Sequence, residues 1–98
     1  MKTLQEIRTI LEQHQDELRT RFFVREIGIF GSRVRGTAGA ASDVDVLVEL
    51  ERPLGWEIVD LRDYLEAILG MKVDLVTANA VRRKPWLWAS IQEDLVYV

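Results

Sequence analysis

The segment FGSRVRGTAGAASDVDVLVEL, residues 30–50, carries the pattern that decides the fold and the chemistry of this chain. An apolar run ends at Phe30, the chain turns through Gly31-Ser32, and a glycine-containing loop leads to two acids that enter a second apolar run. Side chains alternate between the two faces of a strand, so Asp43 and Asp45 share one face. The other face takes the valines that can enter the core: Val44, Val46 and Val48.

This arrangement suits a metal-bound triphosphate. Two carboxylates about 7 Å apart on one strand repel each other, and a hard divalent cation such as Mg²⁺ relieves the repulsion. Glycine lets a phosphate approach the backbone, where the following amides and hydroxyl can donate to it. Alone, an Asp-x-Asp is usually a solvated strand edge and a Gly-Ser usually a turn, so the prediction depends on their combination. A Walker phosphate loop is excluded because no Gly-Lys-Ser/Thr follows.

Outward from this segment, helical and strand patterns alternate. Five helices are predicted. The first starts at the capping box Thr3–Glu6 and follows an apolar stripe to Leu18, and the second is one turn after Ser32. The other three run from Leu54 to a stop at Gly70, from a Thr77 cap to Arg83, and over Trp86–Glu93. Strands are predicted over Phe22–Phe30, Asp43–Leu50, Lys72–Thr77 and Leu95–Val98. The alternation predicts an α/β or α+β class with a small mixed sheet.

Size and composition narrow the function classes. A chain of 98 residues predicts a single domain over 1–98, small enough that a partner subunit is plausible. The net charge of −3 argues against direct nucleic-acid binding of the usual basic kind. There is no cysteine, signal-peptide core or transmembrane stretch, so we expect a cytoplasmic protein without disulfides or membrane contact.

The residues Gly31-Ser32-Arg33-Val34-Arg35-Gly36, followed by Ser42-Asp43-Val44-Asp45, resemble the signature of the DNA polymerase β-like nucleotidyltransferase superfamily. Chain length and the segment Val73–Thr77 are similar to its minimal branch, the MNT family. The resemblance implies a three- to four-stranded mixed sheet of palm-like fold, with helices on one face and the acids on the open side.

The resemblance also implies roles for individual residues. Asp43, Asp45 and Asp74 would be catalytic and hold two Mg²⁺ ions. ATP is the expected donor, held by the nucleotide-binding residues Gly31, Ser32, Arg33, Arg35 and Ser42. Other interpretations of single residues stay open. Asp74 also fits a solvated acid at the edge of the sheet. Arg33 and Arg35 also fit surface residues, because only one of the two can face the ligand.

Residues outside this pattern are ambiguous. Arg82-Arg83-Lys84 fits a solvated helix end, and His14 fits a packed side chain. Trp86 and Trp88 are either core residues or interface anchors, and they are the candidates for the face on which a partner docks to bring a hydroxyl side chain to Asp74.

Minimal nucleotidyltransferases are typically paired with a HEPN-domain toxin, so the resemblance implies a hetero-oligomer in which AMP is transferred to a tyrosine of that partner. Two alternatives remain: a catalytically silent antitoxin that occludes its partner, and a subunit of a small-molecule nucleotidyltransferase, similar to the aminoglycoside enzymes.

Overall fold

The computed structural model describes residues 2–37, 39 and 43–98, and it confirms the mixed α/β class. In chain order the elements are α1 (Leu4–Gln13), α2 (Gln15–Phe22), β1 (Val24–Phe30), α3 (Ser32–Arg35), β2 (Val44–Leu50), α4 (Glu57–Leu69), β3 (Val73–Thr77), α5 (Ala78–Arg82), α6 (Pro85–Asp94) and β4 (Val96–Tyr97). Most bounds lie within one or two residues of the predicted ones, the usual uncertainty of element ends. No helix in the described part of the chain is both long and apolar enough to cross a membrane.

The four strands form one mixed sheet in the order β3-β2-β1-β4. Strand β1 pairs antiparallel with β2 and with β4, whereas β2 and β3 are parallel. A parallel pair needs a crossover, and α4 supplies it between β2 and β3. The sheet is thereby built around β1 and β2, the strands on either side of the Gly31–Asp43 loop.

The two faces of the sheet are packed differently. The valines of β2 face α1, α2 and α4 in the main core, whose best-enclosed members include Ile7, Leu11, Leu61, Leu65 and Leu69. Each such side chain contributes about 1.5–3 kcal/mol through burial. On the other face, Leu47 packs with Ala78, Val81 and Ile91 from α5 and α6. The resemblance implied helices on one face; the structure adds these two short helices, which cover part of the second.

Helix ends follow the predicted signals. Thr3 and Glu6 form the reciprocal capping box at the start of α1. Gly70 ends α4 in the left-handed conformation, and the Thr77 hydroxyl accepts from the Ala80 amide at the start of α5.

The prediction was wrong at the junction between the first helix and the first strand. The helical segment breaks at His14, whose Nδ1 lies 2.8 Å from the Ile10 carbonyl and whose ring meets Tyr64 edge-on. The strand begins at Val24, not at Phe22, because Phe22 packs into the core from the end of α2. Phe23 then turns the chain at φ 59°, with the Arg52 guanidinium 3.6 Å from its ring centroid.

Candidate active site

The sheet register brings two of the predicted acids side by side. Asp45, the second residue of β2, is the direct partner of Asp74, the second residue of β3. Asp45 is half-buried and Asp74 is exposed. Asp43, also exposed, lies just before β2 begins. We call this end of the sheet, where Asp43, Asp45 and Asp74 gather, the acid end.

The electrostatics of Asp45 reflect both its burial and its acidic neighbours. The pKa of Asp45 is raised from 3.8 to about 6. The largest cause is burial, followed by the charge of Asp74 and a hydrogen bond shared with it, and then by the charge of Asp43. The positive charge of Arg35 opposes the increase. Like charges held together in this way favour the protonated form, and a bound cation would favour the ionised one.

Gly31 lies directly against the Asp45 carboxylate. Phe30 pairs with Asp45 across the sheet, and the chain then turns at Gly31 with φ 81° and ψ −154°. This backbone region is essentially restricted to glycine. A β-carbon added at Gly31 would lie 2.1 Å from Oδ2 of Asp45, so any other residue would displace the carboxylate.

The other predicted nucleotide-binding residues lie on the turn that follows. Ser32 and Arg33 are half-buried at the start of α3, and Arg35 ends that helix with an exposed side chain. Arg35 Nη1 donates to Oδ2 of Asp94 at 2.5 Å. Ser42 lies outside the described residues, so its predicted role stays a prediction.

The donor set fits magnesium without forming a closed metal cage. Among residues 2–37, 39 and 43–98, no three His, Asp or Glu side chains already converge as a complete set of ligands. Magnesium usually takes one or two protein carboxylates and completes its shell with water and substrate phosphates. The Asp45–Asp74 pair, with Asp43 nearby and an open glycine turn alongside, fits that kind of site.

A match to a family model decides the family. Residues 6–98 match the model described as a nucleotidyltransferase domain. The chain belongs to the nucleotidyltransferase domain family. It is accordingly an enzyme of nucleotidyl transfer, as the paired acids and the Gly-Ser turn predict.

Two relatives match this nucleotidyltransferase over its whole length. The protein adenylyltransferase MntA of Thermococcus cleftensis is 48% identical over 99 residues, which cover 100% of this chain and 98% of the relative. A candidate protein adenylyltransferase of Methanocaldococcus jannaschii is 44% identical over 101 residues, covering 100% of both chains.

Solved structures share the fold. A minimal nucleotidyltransferase aligns with a TM-score of 0.71 at 27% identity, over 92% of this chain and 93% of the other. A toxin–antitoxin structure with AMP-PNP aligns with a TM-score of 0.73 at 23% identity, over 93% of this chain and 70% of the other. The structure of a tri-AMPylated Shewanella oneidensis HEPN toxin in complex with MNT antitoxin aligns with a TM-score of 0.67 at 19% identity, also over 93% of this chain and 70% of the other.

The nucleotidyltransferase has a second charged region where β2 and β3 end. This arginine end consists of Glu49, Arg52, Arg82 and Arg83. It lines a cavity of about 400 Å³ together with apolar residues that include Leu54 and Ile58. We place the active site at the acid end because the acids there repel one another, whereas Glu49 is already neutralised by Arg82 at 3.1 Å.

The two tryptophans, predicted as core residues or interface anchors, lie in different surroundings. Trp88 is half-buried in the second core cluster, with the Arg82 guanidinium 5.4 Å from its ring centroid. Trp86 is 72% exposed at the start of α6, whereas Asp94 at the other end of that helix contacts Arg35. The exposure of Trp86 fits the interface-anchor alternative, and its part in docking a partner stays a prediction.

Asp94 is the contact that sequence reasoning missed. It lies 59 residues from its partner Arg35, at the end of a helix without a motif. No local pattern in a single sequence indicates such a pairing; covariation between the two positions among relatives is the signal that could have indicated it.

Proposed function

We propose that this nucleotidyltransferase transfers AMP from ATP, with Mg²⁺, to a tyrosine hydroxyl of a HEPN-domain toxin, and so acts as its cytoplasmic antitoxin. The observation that carries the proposal is the Asp45–Asp74 pair held against Gly31, in a chain whose full-length relatives are named protein adenylyltransferases. The structural neighbour with an AMPylated HEPN toxin supports the choice of acceptor.

The donor is held at the glycine turn. Gly31 leaves room beside Asp45 for a phosphate to approach the backbone, and the amides and hydroxyl of the turn can donate to it. The Arg35 guanidinium is half-exposed at this end, and Arg33 and Ser42 complete the proposed nucleotide-binding set. The AMP-PNP in a structural neighbour supports a triphosphate ligand of the ATP type.

Asp43, Asp45 and Asp74 would hold the magnesium. When bound, the metal supplies charge neutralisation at the triphosphate and lowers the pKa of an acceptor hydroxyl. The raised pKa of Asp45 fits this role, because a site that is strained by like charges gains most from a cation.

The reaction is an in-line displacement at the α-phosphorus. The acceptor oxygen forms a bond to that phosphorus while the bond to the α–β bridging oxygen breaks, and pyrophosphate leaves with the bonding electron pair. We assign the acceptor's proton to the carboxylate of Asp74, because Asp74 is the exposed member of the acid pair and so is accessible to a hydroxyl from outside. Asp45, half-buried beneath Gly31, remains a ligand.

A partner supplies the acceptor and orients it. Positioning two reactants accounts for much of an enzymatic rate, and the protein that carries the tyrosine can provide that positioning by docking at the acid end. We therefore expect little AMP transfer by the chain alone.

The test is incubation with ATP, Mg²⁺ and a HEPN-domain protein from the same genome, followed by mass spectrometry of both proteins. We expect one or more AMP additions on the partner, on tyrosine, and none with Asp43→Asn, which should still form the complex. An unmodified partner in a tight, ATP-loaded complex would replace the proposal with occlusion. Label recovered on an added aminoglycoside, and not on protein, would instead indicate the small-molecule class.

A further inference from the structure

The Arg35–Asp94 ion pair joins two elements of the active-site end. Arg35 is the last residue of α3, which follows Gly31, and Asp94 is the last residue of α6. Nη1 of Arg35 donates to Oδ2 of Asp94. The Asp94 side chain is 16% exposed and the Arg35 side chain 52%, so the acid is the enclosed partner and the guanidinium is the presented one.

Both partners are attached to the same central strand. Arg35 follows β1 through the Gly31 turn, whose carbonyl accepts from the Arg35 amide at 3.1 Å. Asp94 precedes Leu95, which packs in the second core cluster, and Val96, which pairs with Ile29 of β1. Asp94 is therefore a fixed point relative to the turn, and it can restrict a long side chain that is otherwise free to rotate.

The guanidinium belongs to the turn beside the acid end. Arg35 follows Gly31 within α3, its amide donates to the Gly31 carbonyl, and Gly31 lies against the Asp45 carboxylate. A guanidinium has five N–H donors in a planar fork, and only one nitrogen is engaged by Asp94. The half-exposed remainder of the fork is suited to phosphate oxygens, which arginine binds through two parallel hydrogen bonds.

We infer that Asp94 is a positioning residue, which holds the Arg35 guanidinium in the orientation that binds the β- and γ-phosphates of the donor. The inference rests on the proposed function, because it assumes that a triphosphate occupies the turn after Gly31. Asp94 acts through Arg35 and does not touch the nucleotide. Its own negative charge repels the phosphates little, since Arg35 neutralises it at contact distance.

The experiment compares the affinities of ATP and AMP, both with Mg²⁺, by calorimetry. AMP lacks the β- and γ-phosphates, so only ATP should report the orientation of Arg35. For Asp94→Ala we expect the Kd of ATP to rise about five- to tenfold while that of AMP changes less than about twofold. Asp94→Asn keeps an oxygen acceptor for Arg35 and should retain most of the ATP affinity.

Two controls separate positioning from general stabilisation. Glu49→Ala breaks the comparable Glu49–Arg82 ion pair at the other end of the sheet and should change neither affinity. Arg35→Ala should weaken ATP binding, and adding Asp94→Ala to it should have no further effect, because Asp94 acts only through Arg35.

The outcomes distinguish the inference from the proposed function. A wild-type protein that binds ATP no more tightly than AMP would reject both. A wild type that prefers ATP, combined with Asp94→Ala that leaves both affinities unchanged or weakens both equally, would reject the positioning role alone. If Asp94→Ala melts below the assay temperature, both affinities are measured at a lower temperature at which the variant is folded, and the same ATP-to-AMP ratio decides the question.

Discussion

The acid end and the arginine end lie toward opposite ends of β2 and carry their charges in opposite arrangements. At the acid end, Asp74 and Asp43 raise the pKa of Asp45, so the neighbours oppose ionisation. At the arginine end, the hydrogen bond and charge of Arg82 lower the pKa of Glu49, and the contact correspondingly raises that of Arg82. The Glu49 carboxylate is already paired with Arg82 and needs no cation, whereas the like charges gathered beside the glycine turn are stabilised by one. The comparison distinguishes a cluster of like charges, which we propose binds a cation, from an ion pair that joins a strand to a helix.

The largest expected difference between the two ends is in catalysis. Asp45→Asn removes a proposed magnesium ligand and should lower the rate of AMP transfer at least about a hundredfold, since metal stabilisation of the transition state is lost. The matched change Glu49→Gln, on the same strand and the same face, should leave the rate within about twofold. The measurement is the initial rate of labelled AMP incorporation into the partner. Equal losses in the two variants would remove the distinction between the ends.

A second prediction sharpens the comparison within the acid end. Gly31→Ala forces a disallowed backbone region and places a β-carbon on Asp45, so we expect a loss of about 2–4 kcal/mol in the free energy of unfolding. Gly36→Ala is the control: φ is also positive, at 78°, but a β-carbon there meets no described atom within 4 Å. It should cost only about 1–2 kcal/mol. Urea denaturation of the two variants tests this, and equal losses would show that contact with Asp45 is unimportant.

A third prediction concerns stability without metal. The pKa of the Asp45 carboxyl is 3.8 in the unfolded chain and about 6 in the folded protein. Its contribution to the free energy of unfolding is therefore fully present below pH 3.8 and is lost as the pH rises through about 6. Asp45→Asn should make the free energy of unfolding depend less on pH between about 3.8 and 6. At pH 7 the variant should be about 0.5–2 kcal/mol more stable than wild type, after allowance for solvent screening of a half-exposed group.

The same variant provides the magnesium test. Adding Mg²⁺ should stabilise the wild type and should stabilise Asp45→Asn less, because binding to the folded state alone raises stability. Thermal melts at several pH values, with and without Mg²⁺, measure both effects. A variant that melts below wild type in the absence of metal would contradict the repulsion among the acids.

The smallest effect is expected at the arginine end. Glu49→Gln should lower stability slightly, and the difference should shrink in high salt, because exposed ion pairs contribute little and are screened. The pH dependence has the opposite sign to that of Asp45. The folded pKa of Glu49 is lowered from 4.5, so its contribution is present above that value and is lost as the pH falls through the lower folded pKa. A stabilising Glu49→Gln would contradict the assignment of this end to structure.

Much of the acid end could be predicted from the sequence because its determinants are local. The strand end, the glycine turn and the alternation of Asp45 with apolar residues lie within residues 30–50, and strand periodicity alone assigns them to faces. Asp74 was harder to assign, since one acid in a short strand has no surrounding motif. Its direct pairing with Asp45 follows from the crossover through α4, which is a property of the fold.

The errors occurred where tertiary contacts override local preference. Phe22 and Phe23 have the composition of a strand, yet one ends a helix in the core and the other adopts a left-handed turn under Arg52. The helical stripe continues past His14, yet the helix breaks there beside Tyr64.

The Arg35–Asp94 pair has a consequence for the protein during its synthesis. A ribosome adds about 5–20 residues per second, so the 59 residues between the partners delay Asp94 by about 3–12 s after Arg35 has been made. Until then β1 lacks its β4 neighbour and the guanidinium lacks its anchor. Asp43, Asp45 and the glycine turn are made before Asp94, so a nascent chain that still lacks Asp94 should hold ATP less tightly than one in which the Arg35–Asp94 pair has formed.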